Sequence, residues 1–556
     1  MCVRASIVLA VSLTACIGAD ASLGPIGVDP RDARPADAGT TRDAAAAETD
    51  VAHGPGEVRM RDGVLLRTWT YVPRSSSGPF PFFVVRNPYA DLNVDAELES
   101  YAAYFTERGI GLVWQAVRGT GGSGGAFQPY VAEVDDARDT LEWLAAQPYS
   151  NDRFAAGGGS YLGYTAWAAA VADPRVVVVL SDDTGAELTR HGGTIAPGYV
   201  LPWWLLAEQN RDLGDADYGL LTNSLDPMSV DDAIFGHDLP LWDGVLSAGA
   251  DVYPREASLR TLAPRICTAA LHVLEAGTGW REPIDTWDAI TANGCARERD
   301  HQWLIVAPES HATHFSAFGI GDTWVTADML TMLEAFLLEA APVPTWPRVR
   351  YRVETDEATR AASQWPPSEA VPVAYYLGAP GPSGEGTLGA AVPPAGVWTM
   401  TSDPAGTDPC AAETATWFVS PPMAADVVVA GAPRLRLTAT TRAADFDVIV
   451  SLYDYLAGPE TYRWLGAGTV RARHRDGGDA PVPAGAPFDL VIDLAASVGR
   501  VRAGHELALS IAPSECFYAE NPHTGEPPDA QTMHRTATID FALGPTGAQL
   551  VVPSIP

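Results

Sequence analysis

Short apolar runs alternate with helix-like segments from about position 57 to position 340. Several of these runs are continuous rather than alternating, which is typical of strands that are buried on both faces of a sheet. They occupy positions 82–85, 111–114, 154–157, 176–180, 266–272 and 303–306. Segments between them, such as 135–146, have apolar residues at helical spacing. This alternation predicts an α/β fold, with a parallel sheet and helices on both of its faces.

Positions 186–258 interrupt the alternation. This segment has few strand-like runs, and its aromatic residues include Trp203, Trp204 and Trp242. We interpret it as a helical cap, inserted where it could close over the C-terminal edge of the sheet.

The pattern changes again after the Pro-Val-Pro sequence at 342–344. Positions 345–556 are rich in Val, Thr, Pro and Gly and contain many short alternating runs, for example 435–440. A period of two predicts strands with one buried face, so this part is expected to form a C-terminal all-β sandwich. Two domains are therefore predicted, one at 56–344 that includes the cap and one at 345–556.

The N-terminal segment indicates export. Arg4 precedes an apolar run at 5–13 that is too short to span a bilayer, and the Leu-Thr-Ala-Cys sequence at 13–16 resembles a bacterial lipobox. We expect a signal peptide at 1–16 and lipid on Cys16, which would anchor the protein at the periplasmic face or the cell surface. An ordinary signal peptide with a chance cysteine is the alternative. Positions 17–55 have the composition of a flexible linker.

Composition excludes several functions. The 556 residues include 69 acidic and 36 basic ones, and the formal net charge is −33. Such a chain repels nucleic acid and anionic lipid head groups, so no nucleic acid is expected as a partner, and a membrane only through the lipid. The sequence has no lysine, which excludes Schiff-base chemistry and a P-loop. No cofactor is implied, and the oligomeric state stays open.

Four cysteines remain once Cys2 is removed with the signal peptide and Cys16 carries lipid. They are Cys267, Cys295, Cys410 and Cys516. An even number in an oxidising compartment suggests disulfides, and four cysteines allow three pairings. We favour the pairing within each predicted domain, 267 with 295 and 410 with 516. No cysteine–histidine spacing typical of zinc is present, so no metal site is expected.

The Gly-Gly-Gly-Ser-Tyr-Leu-Gly sequence at 157–163 follows a predicted strand and begins a helical pattern. A serine on such a tight turn is exposed at the sheet edge, beside the positive end of a helix. The usual elbow pattern has glycine two positions after the serine, whereas here it stands three positions after Ser160. A glycine-rich turn with an incidental serine is the alternative.

A series of motifs resembles those of the cocaine esterase and X-Pro dipeptidyl-peptidase (CocE/NonD) family of serine hydrolases. They are Arg-Asn-Pro-Tyr at 86–89, the glycine-rich 118–125, the helix-like 135–144, Gly-Gly-Ser-Tyr-Leu-Gly at 158–163, the aspartate pairs at 445–447 and 452–454, and the segments 503–507 and 521–525. The matches keep their order from about 57 to 527. The resemblance implies an α/β-hydrolase domain with a cap, a C-terminal jelly-roll sandwich, and cleavage of esters, amides or X-Pro peptides.

The same resemblance implies roles for individual residues. Ser160 would be the nucleophile, and His311, in an Ala-Pro-Glu-Ser-His sequence similar to the family's Gly-Pro-Trp-Ser-His, would be the general base. His314 is the alternative base. The oxyanion hole would consist of the Tyr161 backbone N–H and the Tyr89 hydroxyl.

The acid departs from the family pattern. The family has aspartate in a Gly-Trp-x-Asp sequence after the strand that precedes the histidine, and Glu282 stands in that place here. A glutamate can orient an imidazole as an aspartate does. Glu275, nearer the end of the predicted strand, is the alternative acid. His272 and His505 are interpreted as structural residues.

Three hypotheses about function follow. The first is a serine hydrolase that cleaves acyl esters or amides through a Ser160–His311–Glu282 triad and an acyl-enzyme. The second is a catalytically degenerate hydrolase fold that only binds ligands, because the acid and the histidine motif are altered. The third is a surface lipoprotein that binds glycans or other surfaces through residues 345–556. We favour the first, and the sequence leaves its substrate open.

Overall fold

The structure is a computed structural model, which describes residues 51–74, 77–89, 94–184, 194, 197–209, 211, 227–248, 254–276, 281–309, 311, 324–354, 356, 358–403, 415–457, 461–514, 525 and 535–555. Cys16, His314, Cys410 and Cys516 lie outside these residues.

The first of two sheets carries the α/β part of the chain. Its ten described strands lie in the order β1-β2-β4-β3-β5-β6-β7-β8-β9-β10. They are β1 (Val51–Arg59), β2 (Leu65–Val72), β3 (Phe80–Asn87), β4 (Gly111–Ala116), β5 (Ser150–Gly159), β6 (Val176–Asp182), β7 (Ala269–Glu275), β8 (Gln302–Ala307), β9 (Val349–Tyr351) and β10 (Arg360–Ala362). Strands from β4 to β9 in this order are parallel, whereas β1, β2 and β10 run antiparallel to their neighbours. The predicted parallel sheet is confirmed.

Helices cover both faces of this sheet. The helices are α1 (Val94–Thr106), α2 (Glu133–Ala145), α3 (Tyr161–Ala172), α4 (Pro197–Gln209), α5 (Val230–Phe235), α6 (Pro240–Ser247), α7 (Leu259–Leu262), α8 (Glu282–Asn293) and α9 (Trp324–Met332). Successive residues of a strand point to opposite faces, so Phe82 and Val84 pack with α2 and α3, whereas Phe83 and Val85 pack with α1 and α9. The continuous apolar runs of the sequence follow from this double burial.

Helices α4, α5 and α6 lie in the segment predicted to be a cap. Each of them contributes buried apolar side chains to the same core cluster as α2 and α3, including Trp204, Phe235 and Trp242. The described residues of 186–258 contain these helices and no named strand.

The second sheet system forms the C-terminal all-β domain, as predicted. Its described strands are β11 (Val371–Gly378), β12 (Gly386–Gly389), β13 (Gly396–Ser402), β14 (Thr416–Val419), β15 (Val427–Gly431), β16 (Arg434–Thr441), β17 (Asp447–Leu456), β18 (Thr461–Arg471), β19 (Phe488–Asp493), β20 (Ser497–Val501), β21 (Glu506–Ala512), β22 (Ala537–Leu543) and β23 (Gln549–Ile555). Alternation is clear in β16, whose burial changes at almost every residue. The alternate buried residues form one apolar core.

The two parts of the chain share an apolar contact. Leu274, Ile284 and Trp287 from the first part cluster with Val428 and Val498 from the second. Strands β9 and β10 lie beyond the predicted boundary at 344 but still pair with the first sheet. The division into domains otherwise stays a prediction.

Cys267 and Cys295 form a disulfide, with their Cα atoms 5.0 Å apart. This is the pairing favoured from the sequence for these two residues. Within the described part of the chain, no helix is long and apolar enough to cross a membrane.

Candidate active site

The C-terminal ends of β5, β6, β7 and β8 meet at one edge of the first sheet. Backbone hydrogen bonds join them just beyond the strands: Ser160 N–H donates to the Asp182 carbonyl (2.9 Å) and Asp183 N–H to the Val273 carbonyl (2.9 Å). Ala276 N–H similarly donates to the carbonyl at the end of β8 (2.8 Å). Side chains that follow these four strands are therefore brought together. In α/β sheets this edge is where ligands bind.

Ser160 lies between β5 and α3 in a backbone conformation that L-residues rarely adopt, with φ 55° and ψ −129°. Such a conformation costs about 1–3 kcal/mol and persists only where the surroundings impose it. Gly158 and Gly163 allow the turn, because a Cβ on Gly158 would overlap Leu162 and one on Gly163 would overlap Thr184. The glycine three positions after the serine is thus a packing requirement of this elbow.

Tyr161 is the first residue of α3, so its backbone N–H belongs to the first turn, whose amides have no acceptor within the helix. Its side chain is buried and turned toward the core: its hydroxyl donates to Glu133 Oε1 (2.9 Å) and accepts from Tyr130 N–H (2.7 Å). Burial, with the charge of Glu133, raises the pKa of Tyr161 well above its ordinary value. The ring therefore anchors the turn, and the backbone is the part of Tyr161 that could serve the site.

A buried ionic network holds this anchor. Arg86 Nη1 lies 2.7 Å from Glu133 Oε2 and also donates to the Glu133 backbone carbonyl (2.8 Å). Arg86 is followed three positions later by Tyr89, and Thr165 of α3 donates to the Arg86 carbonyl (2.8 Å). Burial raises the pKa of Glu133. The segment with Tyr89 and the turn with Tyr161 are therefore fixed to the same two charged side chains.

Tyr89 follows β3 and is held by its backbone, since its N–H donates to Asn87 Oδ1 (2.8 Å). The indole N–H of Trp203, on cap helix α4, donates to the Tyr89 hydroxyl oxygen. An indole N–H can only donate, so the Tyr89 oxygen accepts in this bond and its own O–H is a donor in another direction. Trp203 was expected in the cap, but its contact with Tyr89 was not predicted.

His311 contacts a carboxylate that differs from the predicted one. His311 Nδ1 lies 2.7 Å from Asp183 Oδ2, and the two side chains are 7% and 0% exposed. Glu282 was expected in this position, but it is the first residue of α8, where its side chain is buried. Asp183 holds the place at His311 Nδ1 because it follows β6 directly, at the converging edge.

Glu275, the alternative acid, ends β7 and is fully buried beside this pair. Its backbone N–H donates to Asp183 Oδ1 (3.3 Å). One donor atom each from Asp183, Glu275 and His311 lie within 4.8 Å of one another, a set that could in principle ligate a metal ion. His311 Nδ1 lies at hydrogen-bond distance from Asp183. This contact favours an N–H···O hydrogen bond over metal binding, because a ring nitrogen that binds a metal carries no proton.

The remaining histidines of the sequence analysis lie elsewhere. His272 is buried under α3, where Nε2 donates to Gln302 Oε1 (2.9 Å), and burial lowers its pKa to about 4. His505 belongs to the C-terminal domain and contacts Asp454 (2.9 Å). Both contacts agree with a structural role.

Asp183 is not among the site residues predicted from the sequence. The available signal was two consecutive aspartates at the end of a buried strand, Asp182 and Asp183, both fully buried in the structure. Buried carboxylates are costly unless they are paired or hydrogen-bonded, so such a pair at a sheet edge is a candidate for function.

Two family models match the chain. The X-Pro dipeptidyl-peptidase (S15 family) model matches residues 62–230, and the model of the X-Pro dipeptidyl-peptidase C-terminal non-catalytic domain matches residues 343–549. Together they span more than half of the sequence, and they begin close to the two predicted domain starts.

Individual proteins resemble the chain along most of its length. Cocaine esterase from Rhodococcus sp. (strain MB1 Bresler) is 27% identical over 544 residues, which cover 84% of this chain and 92% of that protein. An aminopeptidase from a marine sediment Thaumarchaeota archaeon superposes with a TM-score of 0.74 at 19% identity, covering 95% of this chain and all of that one. An α-amino acid ester hydrolase superposes with a TM-score of 0.74 at 20% identity, covering 95% of this chain and all of that one.

These structural likenesses show the fold, and the sequence matches in both domains show the relationship. The chain is therefore an enzyme, a serine hydrolase that belongs to the X-Pro dipeptidyl-peptidase and cocaine esterase (CocE/NonD) family.

Proposed function

We propose that the protein hydrolyses carboxylic esters or amides through a triad of Ser160, His311 and Asp183. The observation that carries this proposal is the His311–Asp183 contact of 2.7 Å at the edge where the strained Ser160 turn is joined to β6. In this proposal Asp183 accepts a hydrogen bond from Nδ1 and so fixes the tautomer whose Nε2 can accept a proton.

The reaction has two stages. His311 takes the proton of the Ser160 hydroxyl as the oxygen attacks the substrate carbonyl, and the same histidine then protonates the leaving alcohol or amine. Water, deprotonated by His311, attacks the acyl-enzyme, and the histidine returns this proton to the Ser160 oxygen as the acid leaves. The Tyr89 hydroxyl and the Tyr161 N–H donate to the oxyanion in both stages, and such donors typically contribute about 3–4 kcal/mol each.

Aromatic side chains around Tyr89 support an ester with an apolar acyl group as the first substrate to test. The Trp203 ring lies 5.3 Å from the Tyr161 ring and 6.0 Å from the Phe127 ring, measured between centroids. Trp203, which donates to the Tyr89 hydroxyl, thus belongs to an aromatic cluster, and apolar surroundings with few polar groups favour an apolar acyl group. The relative in Rhodococcus is named for the hydrolysis of an ester, which agrees with this choice.

A fluorophosphonate probe tests the proposal, because it reacts with serines that a base has activated. We expect intact mass to show one adduct per wild-type chain and none on the Ser160→Ala variant. Ser123→Ala, which changes a serine engaged with the Ala116 carbonyl (2.8 Å), is the matched control and should be labelled like the wild type. Absence of labelling on the folded wild-type protein would contradict an activated serine.

We also propose that the protein is exported and held to a membrane by lipid on Cys16. Support comes from the lipobox-like sequence and from the Cys267–Cys295 disulfide, since disulfides persist mainly in oxidising compartments. A Cys16→Ser variant should appear in the soluble fraction instead of the membrane fraction. Equal membrane association of the two proteins would contradict lipid anchoring.

A further inference from the structure

Three aspartates converge at the corner between cap helices α5 and α6. Asp231 and Asp232 lie in the first turn of α5, and Asp238 lies in the short connection to α6. One carboxylate oxygen from each lies within 4.8 Å of the other two. Asp231 is fully buried, whereas Asp232 and Asp238 are exposed, so the cluster opens to solvent on one side.

The buried member of the cluster has an oxygen without a partner. Asp231 Oδ2 accepts a hydrogen bond from Leu239 N–H (2.8 Å), while Asp231 Oδ1 is buried and has no hydrogen-bond partner among the described residues. An unsatisfied carboxylate oxygen in a protein interior is destabilising, and a bound counter-charge offsets that cost. Asp243 adds a further negative charge near Asp231.

Among the described residues, no arginine or histidine side chain neutralises this cluster. None of the three aspartates has an ion pair with a described arginine or histidine. The adjacent His237 points its Nε2 toward Glu208 instead (3.1 Å). The geometry therefore gathers three carboxylates, one of which has a buried oxygen with no hydrogen-bond partner in the described part of the chain, and no described side chain supplies a positive charge.

We propose that Asp231, Asp232 and Asp238 bind a Ca²⁺ ion. All three ligands are hard oxygen donors, which favours Ca²⁺ or Mg²⁺ over zinc and other softer metals. Ca²⁺ binds oxygens at about 2.3–2.6 Å with flexible geometry, so ligands on opposite sides of the ion lie up to about 5 Å apart. One buried and two exposed carboxylates, with water completing the coordination, suit this tolerance better than the strict octahedron of Mg²⁺.

The site connects to the candidate active site through the cap. Phe235, the last residue of α5, contacts Trp204 of α4 with ring centroids 6.3 Å apart. Trp203, the neighbour of Trp204, donates to Tyr89. An ion that fixes the corner between α5 and α6 thus stabilises the packing behind the helix that carries Trp203.

Terbium luminescence and thermal unfolding test the site on the whole protein after treatment with a chelator. Tb³⁺ replaces Ca²⁺ in such sites, and Trp242 on α6 can transfer excitation energy to it. We expect Tb³⁺ to bind and emit, and Ca²⁺ to displace Tb³⁺ and abolish the emission. The Ca²⁺ dissociation constant obtained from this competition should be about 10⁻⁴ M, in the range of extracellular calcium modules. At 5 mM, about fifty times that dissociation constant, Ca²⁺ should raise the melting temperature by at least about 3 °C.

Variants of single aspartates decide whether these residues bind the ion. Asp231→Asn keeps an acceptor for Leu239 N–H, and Asp238→Asn changes an exposed side chain, so Asp238→Asn carries the test if the buried variant does not fold. Both should lose most of the Ca²⁺-dependent shift. Asp300→Asn, at an aspartate whose side chain is 96% exposed, is the matched control and should keep it. No Ca²⁺ response in the wild type, an unchanged response in Asp238→Asn, or an equal response to Mg²⁺ would overturn the assignment.

Discussion

His311 contacts the carboxylate of Asp183 directly. This contact predicts that substitutions of Asp183 and of Glu282 have different effects on kcat. Asp183→Asn keeps the shape of the side chain but replaces the acceptor oxygen with an amide that can stabilise the wrong tautomer of the imidazole. In the proposed mechanism kcat for an aryl ester should fall about 10⁴-fold in Asp183→Asn. Glu282→Gln should stay within a few-fold of the wild type, because Glu282 begins a helix instead of following β6. The reverse order of the two variants would assign the acid to Glu282.

His272 gives a prediction about stability and pH. Burial lowers its folded-state pKa to about 4, whereas an unfolded histidine titrates near 6.5. Between these values the unfolded chain binds a proton that the folded protein does not, so stability falls as the pH falls from 6.5 to 4. The contribution of this group is about 3 kcal/mol.

Urea unfolding at several pH values measures the effect. His272→Gln removes the titrating group and keeps an amide that can donate to Gln302. From pH 7 to pH 4 the wild type should lose about 3 kcal/mol more than this variant, since other acid-sensitive groups are common to both. Parallel stability profiles would mean that His272 does not titrate as the structure implies.

Helix α4 contacts the proposed oxyanion donor Tyr89 through one hydrogen bond, from Trp203. Trp203→Phe removes the indole N–H that donates to the Tyr89 oxygen and keeps an aromatic ring in the cap. The loss of one such bond is about 1–1.5 kcal/mol, so kcat/KM should fall about tenfold, mainly through kcat. Tyr89→Phe should cost about 10²–10³-fold, and adding Trp203→Phe to it should have little further effect.

Trp242→Phe is the matched control for Trp203→Phe. Trp242 also lies in the cap, where its indole N–H donates to the Pro227 carbonyl (3.0 Å), away from Tyr89. This variant should lose stability and keep kcat/KM. Equal losses of kcat/KM in Trp203→Phe and Trp242→Phe would show that cap packing, and not the bond to Tyr89, matters for turnover.

Elements that depend on local pattern can be predicted from the sequence. Continuous apolar runs identify the strands of the first sheet, and the glycines around Ser160 identify its turn, because both are set by neighbours along the chain. Asp183 and Trp203 differ in this respect: Asp183 and His311 are 128 positions apart, and Trp203 and Tyr89 are 114 apart. Which carboxylate or indole reaches these partners depends on how loops cross the sheet edge, which no local pattern encodes.

At the scale of the whole molecule, Glu354 joins the two sheet systems. It follows β9 of the first sheet, accepts from Arg500 N–H (2.6 Å), and pairs with Arg463 and Arg502 (Arg502 Nη2 at 3.1 Å) of the C-terminal domain. The Glu354 side chain is 9% exposed. Removing Glu354 takes away the hydrogen-bond acceptor of the Arg500 N–H and the counter-charge of two arginines, and water partly screens these arginines because their side chains are 36% and 52% exposed.

Glu354→Ala should therefore destabilise the contact between the domains by about 1–3 kcal/mol. Calorimetry should show the melting of the two domains moving apart relative to the wild type. Glu339→Ala removes an exposed partner of Arg153 (2.9 Å, 69% exposed) and should cost at most about 1 kcal/mol. Similar melting curves for the two variants would show that Glu354 does not couple the domains.

The boundary between domains also shows where sequence pattern is insufficient. Pro-rich residues at 342–344 mark a change in composition, yet β9 and β10 beyond them complete the first sheet. These strands have only three residues each, too few to show a period. Their assignment depends on pairing with β8, a contact made in three dimensions.

The position of Asp183 ahead of the cap has a consequence for how such enzymes diversify. The proposed nucleophile and the proposed acid follow the adjacent strands β5 and β6, which a hydrogen bond from Ser160 N–H to the Asp182 carbonyl joins, and of the proposed triad only His311 comes after the cap. The cap segment can therefore change in sequence or length, or be exchanged between relatives, while the proposed His311–Asp183 pair keeps its position. Substrate selectivity would then depend on the cap alone. A cap from a relative that preserves the indole at Tyr89 should change which esters are accepted and leave the chemistry unchanged.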